Sequence, residues 1–237
     1  MENDPTPLSA EQQKQAVGQA AAALVRPGMR VGLGTGSTAR YLVDALGEAW
    51  KEGRLTGIVA VPTSRRTADQ ARGYGIPLAD LSDVVTLDLT IDGADEVDTE
   101  LDLIKGLGGA LLREKIVACA SEMMVVMVDH TKLVERLGMK TPVPVEVEPF
   151  GFKSTLQSLE GLGCRATLRM DGDVPYRTDG GHLCVDCRFE RIDDPRGLDN
   201  AIRVIPGALE TGLFVGLARL VLVGYPTGGV RTIEHPQ

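Results

Sequence analysis

Four carboxylates fall within seven residues, Asp92-Gly93-Ala94-Asp95-Glu96-Val97-Asp98, directly after the alternating apolar run 84–91. Like charges crowded at a strand exit are costly unless something uses them. The run therefore reads either as a metal or acid–base site or as a solvated acidic loop. A second group, Gly32-Leu33-Gly34-Thr35-Gly36-Ser37-Thr38, is a glycine-rich turn before a helix. Its backbone N–H groups can face an anion, and Ser37 and Thr38 add hydroxyl donors of the kind a phosphate group takes. A third, Lys105-Gly106-Leu107-Gly108-Gly109, sets an amine beside a mobile backbone, and Lys132 follows another apolar run.

The glycine turn admits several phosphate chemistries. A nicotinamide site wants an acidic residue about 20 positions further on, at the end of the second strand, to hold ribose hydroxyls. This chain has Pro62-Thr63-Ser64 there. A nucleotide P-loop needs Gly-Lys-Ser/Thr, and no lysine follows Gly36. A covalent aspartyl-phosphatase needs a carboxylate two residues before Asp92, where this chain has Thr90. A tight turn with a capped helix remains the bland alternative. Glu114 draws no attention by periodicity: a helix buried through Leu112, Ile116 and Cys119 turns it about 200° from Leu112, toward solvent. Lys105 and Lys132 read by default as surface lysines.

Several elements must position these groups. Ser9 with Gln12 forms a capping box before a helix carrying Val17, Ala20, Ala21 and Leu24, which Pro27-Gly28 stops. Strands are expected near 30–32, 56–61, 84–91 and 123–128, alternating with helices over 35–46, 66–74 and 110–120. Strands and helices alternating at these lengths predict an α/β fold with a doubly wound, mostly parallel sheet. From Pro142-Val143-Pro144 the pattern changes to strand 143–147, helix 152–162, strand 165–170, a hairpin at Asp179-Gly180-Gly181, strand 182–189 and helix 198–204. That order suggests an inserted small α+β lobe of split βαβ type over 138–207. The large domain would comprise 1–137 and 208–237, rejoined by a buried strand over 213–223. Open parallel sheets bind ligands beyond the carboxyl ends of their strands, where all three groups above fall.

The 237 residues are 43% hydrophobic, enough for a large core, and carry a net charge of −8 without a dense basic stripe. Nucleic acid and anionic membrane surfaces are thus disfavoured as partners. No apolar run approaches the roughly 18 residues of a membrane span, and no secretory pattern is visible, so a cytoplasmic protein is expected. Cys119, Cys164, Cys184 and Cys187 do not form a disulfide framework. Along a strand, Cys184 and Cys187 point to opposite faces, which disfavours a metal or redox pair.

Taken together, Gly34-Thr35-Gly36-Ser37-Thr38, Asp92-Gly93-Ala94-Asp95-Glu96, Lys105-Gly106-Leu107-Gly108-Gly109 and Arg113-Glu114-Lys115 resemble, in this order, ribose-5-phosphate isomerases of the A type. The resemblance continues through Pro142-Val143-Pro144-Val145-Glu146, Asn200-Ala201-Ile202, Ile205-Pro206-Gly207 and Gly212-Leu213-Phe214. It implies interconversion of D-ribose 5-phosphate and D-ribulose 5-phosphate through an enediolate, in the non-oxidative pentose phosphate pathway, without metal or organic cofactor. It implies Glu114 as the general base, Asp92 in ring opening and hydroxyl proton transfer, and Asp95 on sugar hydroxyls beside Gly93 and Ala94. Lys105 with the amides of Gly106, Leu107 and Gly108 would face the enediolate oxygen. Thr35, Gly36, Ser37, Thr38 and Lys132 would hold the substrate, chiefly its phosphate, with Lys14 as a further phosphate-side lysine. Glu96 and Asp98 would be the solvated part of the acidic run. A homodimer or homotetramer is implied as well. Leu107 departs from the family, which has glycine there; a positive φ at that position would strain a leucine. Two alternatives stand beside this reading: a non-catalytic sugar-phosphate sensor, and a CoA or acyl transferase of similar fold.

Overall fold

A six-stranded sheet runs in the order Val230–Glu234, Ala218–Gly224, Met124–Asp129, Leu89–Gly93, Arg30–Leu33, Val59–Pro62. All neighbours are parallel except the first pair, which is an antiparallel edge. This computed structural model describes residues 7–234 and divides the chain into two units. The sheet belongs to the first, made of Met1–Gly93, Val117–Lys132 and Ala218–Gln237. From Arg30–Leu33 the chain moves outward to Val59–Pro62, then returns to the other side at Leu89–Gly93. The carboxyl ends of Arg30–Leu33 and Leu89–Gly93 therefore flank a topological switch point, where such sheets place their ligands. The helices Ala10–Ala22 and Ala39–Lys51 contribute Val17, Ala21, Leu42, Val43 and Leu46 to a core shared with Val31, Leu33, Leu89, Ile91 and Val125.

The second unit, Ala94–Ile116 with Leu133–Leu217, spans 138–207 together with residues 94–116, 133–137 and 208–217, which the sequence reading assigns to the large domain. Its four-stranded antiparallel sheet has the order Ala208–Thr211, Val143–Val147, Leu183–Arg188, Arg165–Leu168. With helices Phe152–Glu160 and Pro195–Arg203 in chain order, this is a split βαβ arrangement. Val143, Val145, Val147, Leu159, Leu183, Val185 and Ile202 form its core. A three-stranded sheet of Leu213–Phe214, Leu103–Ile104 and Glu96–Val97 and a small hairpin of Met170–Asp171 with Val174–Pro175 also belong to the unit.

Several elements differ from the periodicity reading, each for a local reason. The 84–91 strand is not continuous: Asp80 caps a short helix Leu81–Val84, Val85 takes φ 62°, and the strand begins only at Leu89. The helix expected from residue 35 starts at Ala39, because 35–38 form the turn. The helix expected from 198 starts at Pro195 behind an Asp194 cap, since proline suits the first turn. The apolar stretch 213–223 splits at Gly216, φ 69°; Leu213–Phe214 pairs with Leu103–Ile104 and only Ala218–Gly224 joins the large sheet. The strands Glu96–Val97, Leu103–Ile104, Ala208–Thr211 and Val230–Glu234 had no visible signal, the first two being only two residues long.

Candidate active site

In the first unit the site is built on the contact between two strand ends. Thr35 N–H donates to Asp92 Oδ1 at 3.0 Å, and Gly93 N–H donates to the same oxygen at 2.7 Å. Asp92 is 1% exposed, so these amides compensate a carboxylate taken out of water. A Cβ on Gly34 would lie 2.0 Å from Asp92 Oδ1, so glycine is required there for close approach. Gly36 has φ 139° and nothing within 4 Å of the Cβ position, leaving its backbone open to a ligand.

The hydroxyl of Thr35 joins a buried cluster with Thr63 Oγ1 (2.8 Å), Ser64 Oγ (2.8 Å) and Thr67 Oγ1 (3.2 Å). Thr63 and Thr67 pass hydrogen bonds back to the carbonyls of Leu33 and Gly34. Thr35 thus holds the turn through its side chain, while Ser37 is exposed and Thr38, half-buried, makes no side-chain cap to the helix it precedes. The sequence places Thr63-Ser64 at the end of the second strand, beside the other strand-end groups, without assigning them a role; Thr67 carries no sequence signal.

Lys132 is half-buried in the turn His130–Lys132 that follows Met124–Asp129. Lys14, also half-buried, pairs with Glu11 at 3.4 Å on the first helix. The elements carrying these lysines are tied by a 2.9 Å hydrogen bond between Gln13 and His130 Nδ1.

In the second unit Lys105 Nζ lies 3.2 Å from Glu114 Oε2, with both side chains 3% exposed. Burying two opposite charges costs several kcal/mol each unless they are paired, so this arrangement is specified rather than incidental. Phe214 lies beneath: its ring centroid is 5.3 Å from Lys105 Nζ and 4.9 Å from Lys115 Nζ. The expected outward orientation of Glu114 is corrected here. In helix Leu111–Cys119 the inward residues are Leu111, Glu114, Lys115, Val117 and Ala118, whereas Ile116 and Cys119 are exposed and Leu112 is half-buried. Apolarity mis-set the helix face because its buried side includes two charged residues. Lys115 anchors it, donating to Glu210 at 2.8 Å and standing 3.6 Å from Asp199.

Asp95 Oδ2 accepts from Leu107 N–H at 3.0 Å, joining the acidic run to the glycine turn. The positive φ values of this turn fall on Gly106 (102°) and Gly109 (77°); Leu107 has none, so the leucine carries no strain. Glu96 is not solvated. It is fully buried and accepts from the N–H groups of Gly138 (2.7 Å), Lys140 (2.6 Å) and Thr141, and from the Thr141 hydroxyl. Asp98, half-buried, caps a turn through Glu100 and Asp102, and burial pushes its carboxyl above the ordinary range. The structure brings Thr35, Asp92 and Gly93 together, Asp95 with Leu107, and Lys105 with Glu114; Ala94 is half-buried and Gly108 exposed.

Comparison with known proteins matches residues 59–228 to a sequence model of the family described as ribose 5-phosphate isomerase A (phosphoriboisomerase A). Ribose-5-phosphate isomerase A of Gloeobacter violaceus is 52% identical over 221 residues, covering 93% of this chain and 95% of that protein. A solved D-ribose-5-phosphate isomerase in complex with phospho-erythronic acid superposes with a TM-score of 0.93 at 41% identity, covering 96% of this chain and 100% of that one. The ribose 5-phosphate isomerase of Plasmodium falciparum also gives 0.93, at 35% identity and the same coverage.

Proposed function

The chain belongs to the ribose 5-phosphate isomerase A family, and from that premise we propose that it interconverts D-ribose 5-phosphate and D-ribulose 5-phosphate with Glu114 as the base. The observation that carries the assignment is the buried Lys105–Glu114 pair at 3.2 Å. Aldose–ketose isomerisation removes the proton from C2 of the open-chain sugar and returns it to C1, with negative charge on the sugar oxygens in between. A carboxylate within reach of the carbon acid does the first, typically accelerating the step about 10²–10⁴-fold. A preorganised ammonium and backbone amides do the second, one donor being worth roughly 3–4 kcal/mol. Glu114 fills the first role, and Lys105 with the amides of Gly106 and Gly108 fills the other, while the Leu107 N–H is held by Asp95.

Asp92, held by two backbone amides, assists ring opening and the transfer of hydroxyl protons, and Asp95 holds sugar hydroxyls beside Gly93 and Ala94. Gly36, Ser37, Thr38 and Lys132 take the phosphate, with Thr35 shaping the turn and Lys14 on the same side. Phosphate lies several bonds from the reacting carbons, so its binding energy orients them without entering the chemistry. Phospho-erythronic acid carries a carboxylate where the enediolate carries charge, and it should bind as an inhibitor.

The test is conversion of ribose 5-phosphate by purified protein in EDTA, comparing wild type with Glu114→Gln. The variant should lose about 10²–10⁴ in kcat. An inactive wild type would sink the isomerase reading, while an unimpaired variant would sink only the base. Lys132→Ala should chiefly raise KM. The sensor and transferase alternatives are not favoured by relatives that match over nearly the whole chain. The protein is expected to work in the cytoplasm, in the non-oxidative pentose phosphate pathway. Among the described residues no helix is long and apolar enough to cross a membrane. A homodimer or homotetramer is proposed on family grounds, to be read by light scattering.

A further inference from the structure

Three consecutive carbonyls of the 105–109 turn are held by two side chains. Arg169 Nη1 donates to Gly106 O at 2.9 Å and to Leu107 O at 3.0 Å, and the Tyr176 hydroxyl donates to Gly108 O at 3.4 Å. The rest of the guanidinium is engaged by Asp186, which accepts from Nε at 3.0 Å and from Nη2. Asp186 sits on Leu183–Arg188 opposite Thr167, and Arg169 follows two residues beyond that partner. A forked pairing of this kind fixes the plane of the guanidinium, which a lysine cannot reproduce.

In a trans peptide the C=O and N–H point in opposite directions. Carbonyls of Gly106 and Leu107 drawn toward Arg169 therefore turn the N–H groups of Leu107 and Gly108 the other way. On that side Leu107 N–H meets Asp95. A cation on a carbonyl also polarises the peptide and makes its N–H a stronger donor.

We propose that Arg169, oriented by Asp186, is a positioning residue for the isomerisation: it aims and polarises the Leu107 and Gly108 amides that serve Asp95 and the enediolate oxygen. This rests on the role given above to the 105–109 turn. It assigns a function in catalysis to a residue more than 60 positions along the chain from that turn.

Arg169→Met, Arg169→Lys and Asp186→Asn are compared with wild type for kcat, KM, inhibition by phospho-erythronic acid and by inorganic phosphate, and thermal unfolding. Arg169→Met should lower kcat about 100-fold, the scale of one oxyanion donor, and weaken phospho-erythronic acid by a similar factor. KM and inorganic phosphate inhibition should stay within about threefold, because only the charge-developing end is affected. Arg169→Lys should recover part of kcat, and Asp186→Asn should fall between it and wild type. If the methionine variant does not fold, the other two carry the test. Folded variants with wild-type kcat, or with equal losses of affinity for both inhibitors, overturn the proposal. A wild type that binds phospho-erythronic acid without turning over ribose 5-phosphate would instead defeat the isomerase reading. The two inhibitor affinities of the Arg169 variants would still decide the positioning role.

Discussion

At the scale of single residues, the fold hides the charges to which the proposed chemistry is assigned. Glu114 and Lys105 are each almost wholly buried, and each offsets the cost of the other. Leu107 shows the reverse case, a residue whose type suggested strain but whose backbone is ordinary because Gly106 and Gly109 take the positive φ angles. Leu107→Gly should leave kcat within about threefold and cost roughly 0.5–1 kcal/mol of stability through the freer unfolded chain, measured by urea unfolding. A large gain in kcat would mean that the leucine distorts the turn after all. Glu114 was legible as a family residue, whereas its burial was not, since its own helix reads as amphipathic about a different face.

At the scale of elements, two carboxylates fasten strands in place, Glu96 fully buried and Asp88 partly exposed. Glu96, on Glu96–Val97, gathers four hydrogen bonds from residues 138–141. Glu96→Ala strands those donors and should cost roughly 3 kcal/mol, visible as a lowered urea midpoint with an unchanged slope. Asp88 receives the N–H of Arg30 at 2.6 Å, at the start of a central strand, and this bond foremost holds its carboxyl below the ordinary 3.8. A depressed carboxyl contributes stability above the unfolded value and loses it as pH falls through the folded one. Asp88→Ala should therefore be less stable by about 1 kcal/mol at pH 7, with the gap closing below pH 3.8. A gap that widened on acidification would refute the hydrogen-bond account.

At the scale of the whole molecule, the four cysteines report how each region is packed. Cys119 is exposed, while burial pushes the Cys184 thiol up to about 12; a hydrogen bond donated to Cys164, followed by burial, raises Cys187. An aromatic disulfide reagent at neutral pH should label Cys119 quickly and leave Cys184 and Cys187 untouched until denaturant is added. Peptide mapping that found Cys184 or Cys187 labelled in the native protein would contradict the packing of that sheet. By itself the sequence determined the α/β alternation and the split βαβ lobe, because period and turn residues are local properties, while its short motifs marked the residues proposed to carry chemistry. Tertiary structure alone decided that Thr35 meets Thr63, Ser64 and Thr67, that Glu96 is a buried anchor, and that Arg169 grips the glycine turn. The physical reason is that local periodicity says which side of an element is apolar. Which polar groups meet from distant parts of the chain, and so remain charged or hydrogen-bonded away from water, depends on how the elements pack.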